Sequence, residues 1–346
     1  MRLLHLVDEP YDSGLTAYAL AAAAGLARRG HDGCVAGLAG RPPLEEAARL
    51  GLRTLPLGNP CFSLPRLRSR LKTEGVDIVL AHTGSAHSLA AAATLGLKTR
   101  IVRVRGDARP VKRHPAARWL WRRTAGFIAA NRGILEDARG LCAGRPAAVV
   151  YQGIEDPGAP PPFPSGSRVV GILGRLDPVK GHAVFLRAAA RLTEALPEAR
   201  FLVAGREENV KVAELRRLIR ELGLEERVSL LGHVPEVREF MRRCSVGVVA
   251  SLGSEAVSRA ALEWLSCGRP VAASAVGCLP ETLEGCAGGV LVAPGDPDAL
   301  CGALRSLLEG GALAAAGSAA RRRYEERFTL GRFLDGTEAL LKEALL

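Results

Sequence analysis

The run SEAVSRAALEWLSCGRPVAAS, residues 254–274, sets Glu255 and Glu263 eight positions apart in a stretch dominated by Ala, Val, Leu and Trp. An unpaired carboxylate on an apolar helix face is costly, so each acid needs a polar partner. Along one helix, eight residues correspond to about 12 Å of rise and about 80° of rotation. Carboxylates accept hydrogen bonds in pairs from vicinal hydroxyls. Two of them at this spacing could grip both ends of an extended ligand, while N–H groups near Val257 and Ser258 hold an anion between them. A purely local alternative is open: Glu255 facing the helix dipole and Glu263 paired with Arg259 at i, i+4.

Cations capable of meeting an anion lie in GRLDPVKGH, residues 174–182. Arg175 and Lys180 fall in a strand-to-helix loop, where free backbone N–H groups already favour negative charge; together they would neutralise a diphosphate. The alternative is two solvated surface charges. In LAHTGSAHS, His82 sits at a strand end, where it either faces a cleft or is a satisfied structural residue, whereas His87 falls within a helix. VRVRGDARP offers Arg105 and Asp107; arginine is too basic to accept a proton but can hold a carboxylate or a phosphate, and Asp107 either orients a hydroxyl or compensates its neighbours. Gly14, opening a helix after the first strand, would let backbone approach a ligand or simply make a turn.

Parallel strands joined by crossover helices are the elements that would position these groups. In the second half, short runs bounded by Gly (RVVGILG, RFLVAG, RVSLLG, VGVVAS, PVAAS, GVLVAP) alternate with helical patterns such as HAVFLRAAARLTEAL and VAELRRLIRELG. In the first half RLLHLV, CVAGLA, VDIVLAH and RIVRVRG read as strands, and LTAYALAAAAGLARRG as a helix closed by Gly30. Five prolines between 157 and 164 mark a stiff spacer, read as an interdomain hinge. The expected division is an N-terminal acceptor-side domain over 1–155, a donor domain over 156–320, and a helical tail over 321–346 packing back on the first domain. In doubly wound sheets ligands bind at the carboxyl ends of the strands.

Charge is uneven. Residues 1–165 hold 23 Lys and Arg against 13 Asp and Glu, residues 166–346 hold 24 against 23, and residues 98–123 alone carry ten cations against Asp107. That segment includes Trp119 and Trp121, a combination suited to an anionic membrane surface, a phosphorylated acceptor or single-stranded nucleic acid, or else a solvated face. Eight scattered cysteines show no zinc spacing and no disulfide framework, and no G-x-G-x-x-G supports a nicotinamide enzyme. The start MRLLHLV lacks the apolar length of a secretory signal, and the longest apolar run, LTAYALAAAAGLA, is too short to span a bilayer; a cytoplasmic protein is expected.

Taken in order, GRLDPVKGH, LVAG, VSLLGHV, SLGSEAVSRAALEWLSCGRPVAAS, GCLPETL and GVLVAPGDPDAL resemble the C-terminal domain of retaining GT-B glycosyltransferases of family 4, with a lipopolysaccharide-core-like character. The resemblance covers nearly all of residues 168–310. It implies an α/β GT-B fold with two doubly wound Rossmann-like domains facing a central cleft. It also implies a nucleotide diphosphate-sugar donor held by Arg175 and Lys180 at the diphosphate, Glu255 at the sugar, Glu263 at the ribose and His233 near the base. The first half resembles the family more loosely, through Gly14. The chain departs from the family where EAVS replaces a Gly-Phe-Gly run and where Arg105 replaces a His. The expected reaction is transfer to a hydroxyl of a glycolipid or lipopolysaccharide-type acceptor, with retention and with no metal, cofactor or nucleic acid, and with peripheral contact to an anionic inner membrane through 98–123. A nucleotide-sugar epimerase of the same fold, or a non-catalytic binder of anionic membranes or nucleic acid, are the alternatives.

Overall fold

The computed structural model describes the chain apart from residues 12, 59, 108, 164–167, 254 and 310–311 and the side chains of 60–62. It forms two units, Met1–Gly153 with Leu330–Leu346, and Ile154–Thr329.

The first unit contains β1 (Arg2–Val7), β2 (Asp32–Leu38), β3 (Arg53–Leu57), β4 (Ile78–Ala81), β5 (Arg100–Arg105), β6 (Gly126–Ala129) and β7 (Ala147–Val149), all parallel, in the order β3-β2-β1-β4-β5-β6-β7. Helices cover both faces, so β1 and β4 are apolar on both sides; Leu4, Leu6, Val79 and Leu80 are fully buried. Three of these strands were not expected from sequence. RTLPL carries Pro56, which is tolerated because β3 is an edge strand, and β6 and β7 are four and three residues long, too short for a periodicity to register.

The second unit contains β8 (Val169–Leu173), β9 (Arg200–Ala204), β10 (Val228–Gly232), β11 (Val246–Val249), β12 (Val271–Ser274) and β13 (Gly289–Val292), parallel in the order β10-β9-β8-β11-β12-β13. All six expected runs are strands. Helix His182–Ala195 packs Phe185, Leu186 and Leu192 onto Val170, Phe201 and Val203, and Trp264 is buried against Phe240.

Two boundary expectations change. The tail over 321–346 divides at Thr329. Residues up to Arg327 complete helix Leu313–Arg327 in the second unit, and only helix Leu330–Leu345 joins the first, where Phe333 meets Tyr18 edge-on and Asp335 pairs with Arg29 at 2.8 Å. The proline-rich spacer is bound along the second unit. Buried Arg269 donates to the carbonyl of Pro162 at 2.8 Å and lies over the Phe163 ring, Arg321 grips both oxygens of Asp156, and Tyr324 donates to the carbonyl of Ile154. Pyrrolidine rings lack an N–H for a sheet but leave carbonyls that arginines can hold.

Candidate functional site

In each sheet the strand order reverses once, between β1 and β4 and between β8 and β11, and the loops leaving those strands flank a crevice. In the second unit, the loop after β8 turns through Asp177, whose carboxylate caps Val179 N at 2.9 Å and accepts from Asn209 Nδ2 at 2.6 Å. The Val179 N–H bond, with Asn209, Arg175 and Lys180 beyond it, outweighs burial and holds that carboxyl below its usual range. Pro178–Lys180 then form one 3-10 turn, closed by Gly181 at φ +70. A Cβ on Gly181 would stand 1.9 Å from the carbonyl oxygen of Ala250, so only glycine lets this loop close onto the end of β11. Leu252 N bonds Val179 O at 2.8 Å across the same junction.

That closure brings Lys180 Nζ to 2.5 Å from Glu255 Oε1, with Ser251 Oγ at 2.6 Å from the same oxygen. Glu255 is 2% exposed and Lys180 27%, so the acid lies inside while part of the lysine side chain reaches the surface. Behind them Gly277 (φ +55) passes so close that a Cβ would meet the Glu255 carbonyl oxygen at 2.0 Å, and Cys278 N bonds that oxygen at 2.7 Å. Burial brings His182, next along the chain, down to about 4, so it is a neutral neighbour of Lys180.

The other expected donor residues are distributed differently. Glu255 is not on a helix. The helix runs from Arg259 to Ser266, so the eight-residue helical geometry does not relate the two acids. The Glu255 carbonyl is bonded to Cys278 N rather than turning into a helical ladder. Glu263 is paired with Arg259 Nε at 2.8 Å, the local i, i+4 alternative, and burial pushes its carboxyl up against that pairing. Ser258 is buried, with its Oγ enclosed and without a hydrogen-bond partner among the described residues; Val257 is half-buried beside it. Arg175 is exposed, 3.5 Å from Glu208, and His233 is exposed just past β10.

In the first unit Gly14 is the exposed first residue of helix Gly14–Arg28, capped by Ser13. His82 does not face open space. It is 1% exposed, its Nε2 lies 3.2 Å from Nδ1 of His5 on β1, and burial with His5 and Arg103 nearby holds it well below the usual histidine range. His87 is a core residue bonded to Thr124 at 2.8 Å and edge-on to Trp121. Asp107 takes the compensating role as well: Arg105 donates to it at 3.2 Å, and Arg103 NH2 lies 3.7 Å from its other oxygen. Both arginines are buried; burial lowers Arg103 to about 9, with Asp107 opposing.

The basic segment is therefore divided. Arg103, Arg105 and Trp121 are internal, while Lys98, Arg100, Arg109, Lys112, Arg113, Arg118 and Arg122 are exposed, as is Trp119 at 48% with Arg123 over its ring. Sequence reasoning passed over three residues that order these sites: Ser251, Asp177 and Asp137. Asp137 accepts from Val111 N at 2.7 Å and from Arg105 and Arg113 at 3.4 and 3.3 Å. The Asp-Pro pair signals the cap at Asp177; nothing local signals Ser251 or Asp137.

Two parallel-sheet Rossmann-like units, each with a single reversal of strand order, define the GT-B architecture. Residues 13–156 match the family described as Glycosyltransferase Family 4, and residues 167–310 match Glycosyl transferases group 1. The chain belongs to the GT-B glycosyltransferases of family 4. A D-inositol 3-phosphate glycosyltransferase of Mycolicibacterium paratuberculosis is 38% identical over 159 residues, 44% of this chain and 35% of that one. The enzyme of the same name from Thermobispora bispora is 36% identical over 175 residues, 48% and 41% respectively. The matches thus span well under half the length of these relatives. Among solved structures, Anabaena Alr3699/HepE in complex with UDP superposes with a TM-score of 0.86 at 22% identity over 99% of this chain and 100% of that one. The lipopolysaccharide outer core galactosyltransferase WaaB in its apo form gives 0.78 at 16% over 99% of each.

Proposed function

We propose that the protein transfers a glycosyl group from a nucleoside diphosphate-sugar to a hydroxyl of a phosphate-bearing glycolipid or lipopolysaccharide-type acceptor, with retention and without a metal or cofactor. The observation that carries this reading is the Lys180 and Glu255 pair in the crevice between β8 and β11, where residues 75 positions apart present a cation and a buried acid at one strand reversal. An ammonium has three N–H donors and Glu255 uses one, which leaves Lys180 able to meet a diphosphate. Glu255 then holds sugar hydroxyls, and the enclosed Ser258 Oγ with the N–H groups near Val257 meets a phosphate oxygen. Arg175 leaves its exposed contact with Glu208, which is worth little, to join the phosphates. Glu263 exchanges Arg259 for the ribose, and His233 lies by the base.

In the first unit Asp107, fixed by its arginines, orients the acceptor hydroxyl. As the bond from the anomeric carbon to the diphosphate breaks, the departing phosphate oxygen takes the hydroxyl proton and the new C–O bond forms on the same face. The name of the D-inositol 3-phosphate glycosyltransferase relatives supports a phosphate-bearing acceptor. The exposed cations of 98–123 with Trp119 support docking on the anionic inner face of the cytoplasmic membrane.

A thermal-shift panel of UDP, GDP and ADP tests the reading, UDP first because it occupies the Anabaena neighbour. A ligand at a hundred times its Kd adds about 2.7 kcal/mol, a rise of about 5–10 °C for a unit of this size. Arg175→Ala and Glu263→Ala are expected to abolish the rise. No shift with any nucleoside diphosphate would overturn the proposal, and interconversion of a donor sugar in the absence of acceptor would replace it with epimerisation.

A further inference from the structure

His5 and His82 form a buried pair that the donor site does not use. His5 lies on β1, paired in register with Leu80 of β4, and His82 is the first residue beyond β4, its N–H bonded to Leu6 O at 3.1 Å. The two rings stack with centroids 5.4 Å apart and an interplanar angle of 15°, and each residue is 1% exposed. His5 Nδ1 and His82 Nε2 are 3.2 Å apart, while His5 Nε2 is enclosed without a partner among the described residues.

A contact between two ring nitrogens needs one proton and one lone pair. Burial brings His5 down to about 3 and holds His82 low as well, with the Arg103 cation adding to the effect on His82, so the pair is neutral and holds one proton per ring. Two arrangements exist. If His82 donated to His5, the His5 proton count would place an N–H on the enclosed Nε2, an orphaned buried donor. If His5 donates, that enclosed nitrogen carries only a lone pair, and unsatisfied acceptors are the better tolerated of the two. We infer that His5 Nδ1–H donates to His82 Nε2 and so fixes His82 with its proton on Nδ1, making His5 a positioning residue and His82 a hydrogen-bond donor, not a proton acceptor, at the carboxyl edge of β4. The consequence for turnover rests on the proposed transferase reading: His82 is too enclosed to touch the acceptor, so its fixed tautomer acts on turnover only by holding the end of β4, and the hydroxyl proton leaves by another route. The tautomer itself does not depend on that reading.

The test is side-chain ¹⁵N NMR of the histidine-labelled full-length protein without substrate, assigned with His82→Gln, followed by steady-state kinetics. Wild type is expected to show His82 Nδ1 protonated and Nε2 unprotonated. His5→Asn, whose amide N–H can stand near the Nδ1 position, keeps that pattern and turnover within about two-fold; His5→Phe loses the pattern and lowers kcat about ten-fold, the equivalent of one hydrogen bond, with the donor KM unchanged. A proton on His82 Nε2 in wild type, or equal losses in His5→Asn and His5→Phe, overturns the inference. Failure of UDP, GDP and ADP to shift the melting temperature would remove the transferase reading and leave the NMR result standing.

Discussion

Removing Lys180 exposes how strongly the donor crevice depends on one ion pair. Glu255 is 2% exposed and keeps only two described polar partners at its Oε1, Lys180 Nζ at 2.5 Å and Ser251 Oγ at 2.6 Å. Breaking a fully buried pair by deleting one partner costs roughly 3–5 kcal/mol, because an uncompensated charge stays inside. Lys180 is 27% exposed, so water relieves part of that, and Lys180→Met is expected to cost about 2–3 kcal/mol. Glu255→Gln in that background removes the stranded charge and restores at least half. The assay is amide hydrogen exchange at the most protected sites of β8 and β11, which report opening of the second unit without interference from the first. A loss of about 3 kcal/mol reads there as an approximately hundred-fold faster exchange, and the double variant should regain about ten-fold. Strictly additive losses in the two single variants would refute the coupling, and with it the physical basis for placing a diphosphate at Lys180.

Gly181→Ala should destabilise the second unit by at least about 2 kcal/mol, through both its left-handed backbone and the overlap with Ala250 O; a melting temperature within a degree of wild type would contradict this. Asp137 is held below its usual range because the Val111 N–H bond and the Arg105 and Arg113 contacts together outweigh burial. Its stabilising contribution is therefore complete above about pH 4 and is lost as the pH falls through the lowered value, so Asp137→Asn should remove that part of the acid dependence in a urea titration series. Trp121→Ala, deleting a ring packed on His87 and Phe127, should cost about 3–5 kcal/mol, whereas Trp119→Ala should leave the melting temperature nearly unchanged and weaken sedimentation with anionic vesicles. Equal stability losses from the two would show that the helix faces are misassigned.

The second sheet could be read along the chain because its four inner strands, β8, β9, β11 and β12, are largely buried, which forces short apolar runs ended by Gly or Ser, and because the crossover helices carry a clear 3.6-residue pattern. The cap at Asp177 and the Glu263 contact with Arg259 are local too, since both partners lie within four residues. Local sequence decided little else at the candidate sites. Trp119 and Trp121 are two residues apart, about 200° around a helix, and only the packing of that helix settled which one entered the core. Lys180 meets Glu255 across 75 residues and His5 meets His82 across 77, each pair joined because a parallel sheet sets the first strand of a unit beside its fourth. Residue types announced an anion-binding, sugar-handling chemistry, but which acid faces which cation is a property of strand order, since side-chain contacts at such separations exist only once the intervening chain has crossed over.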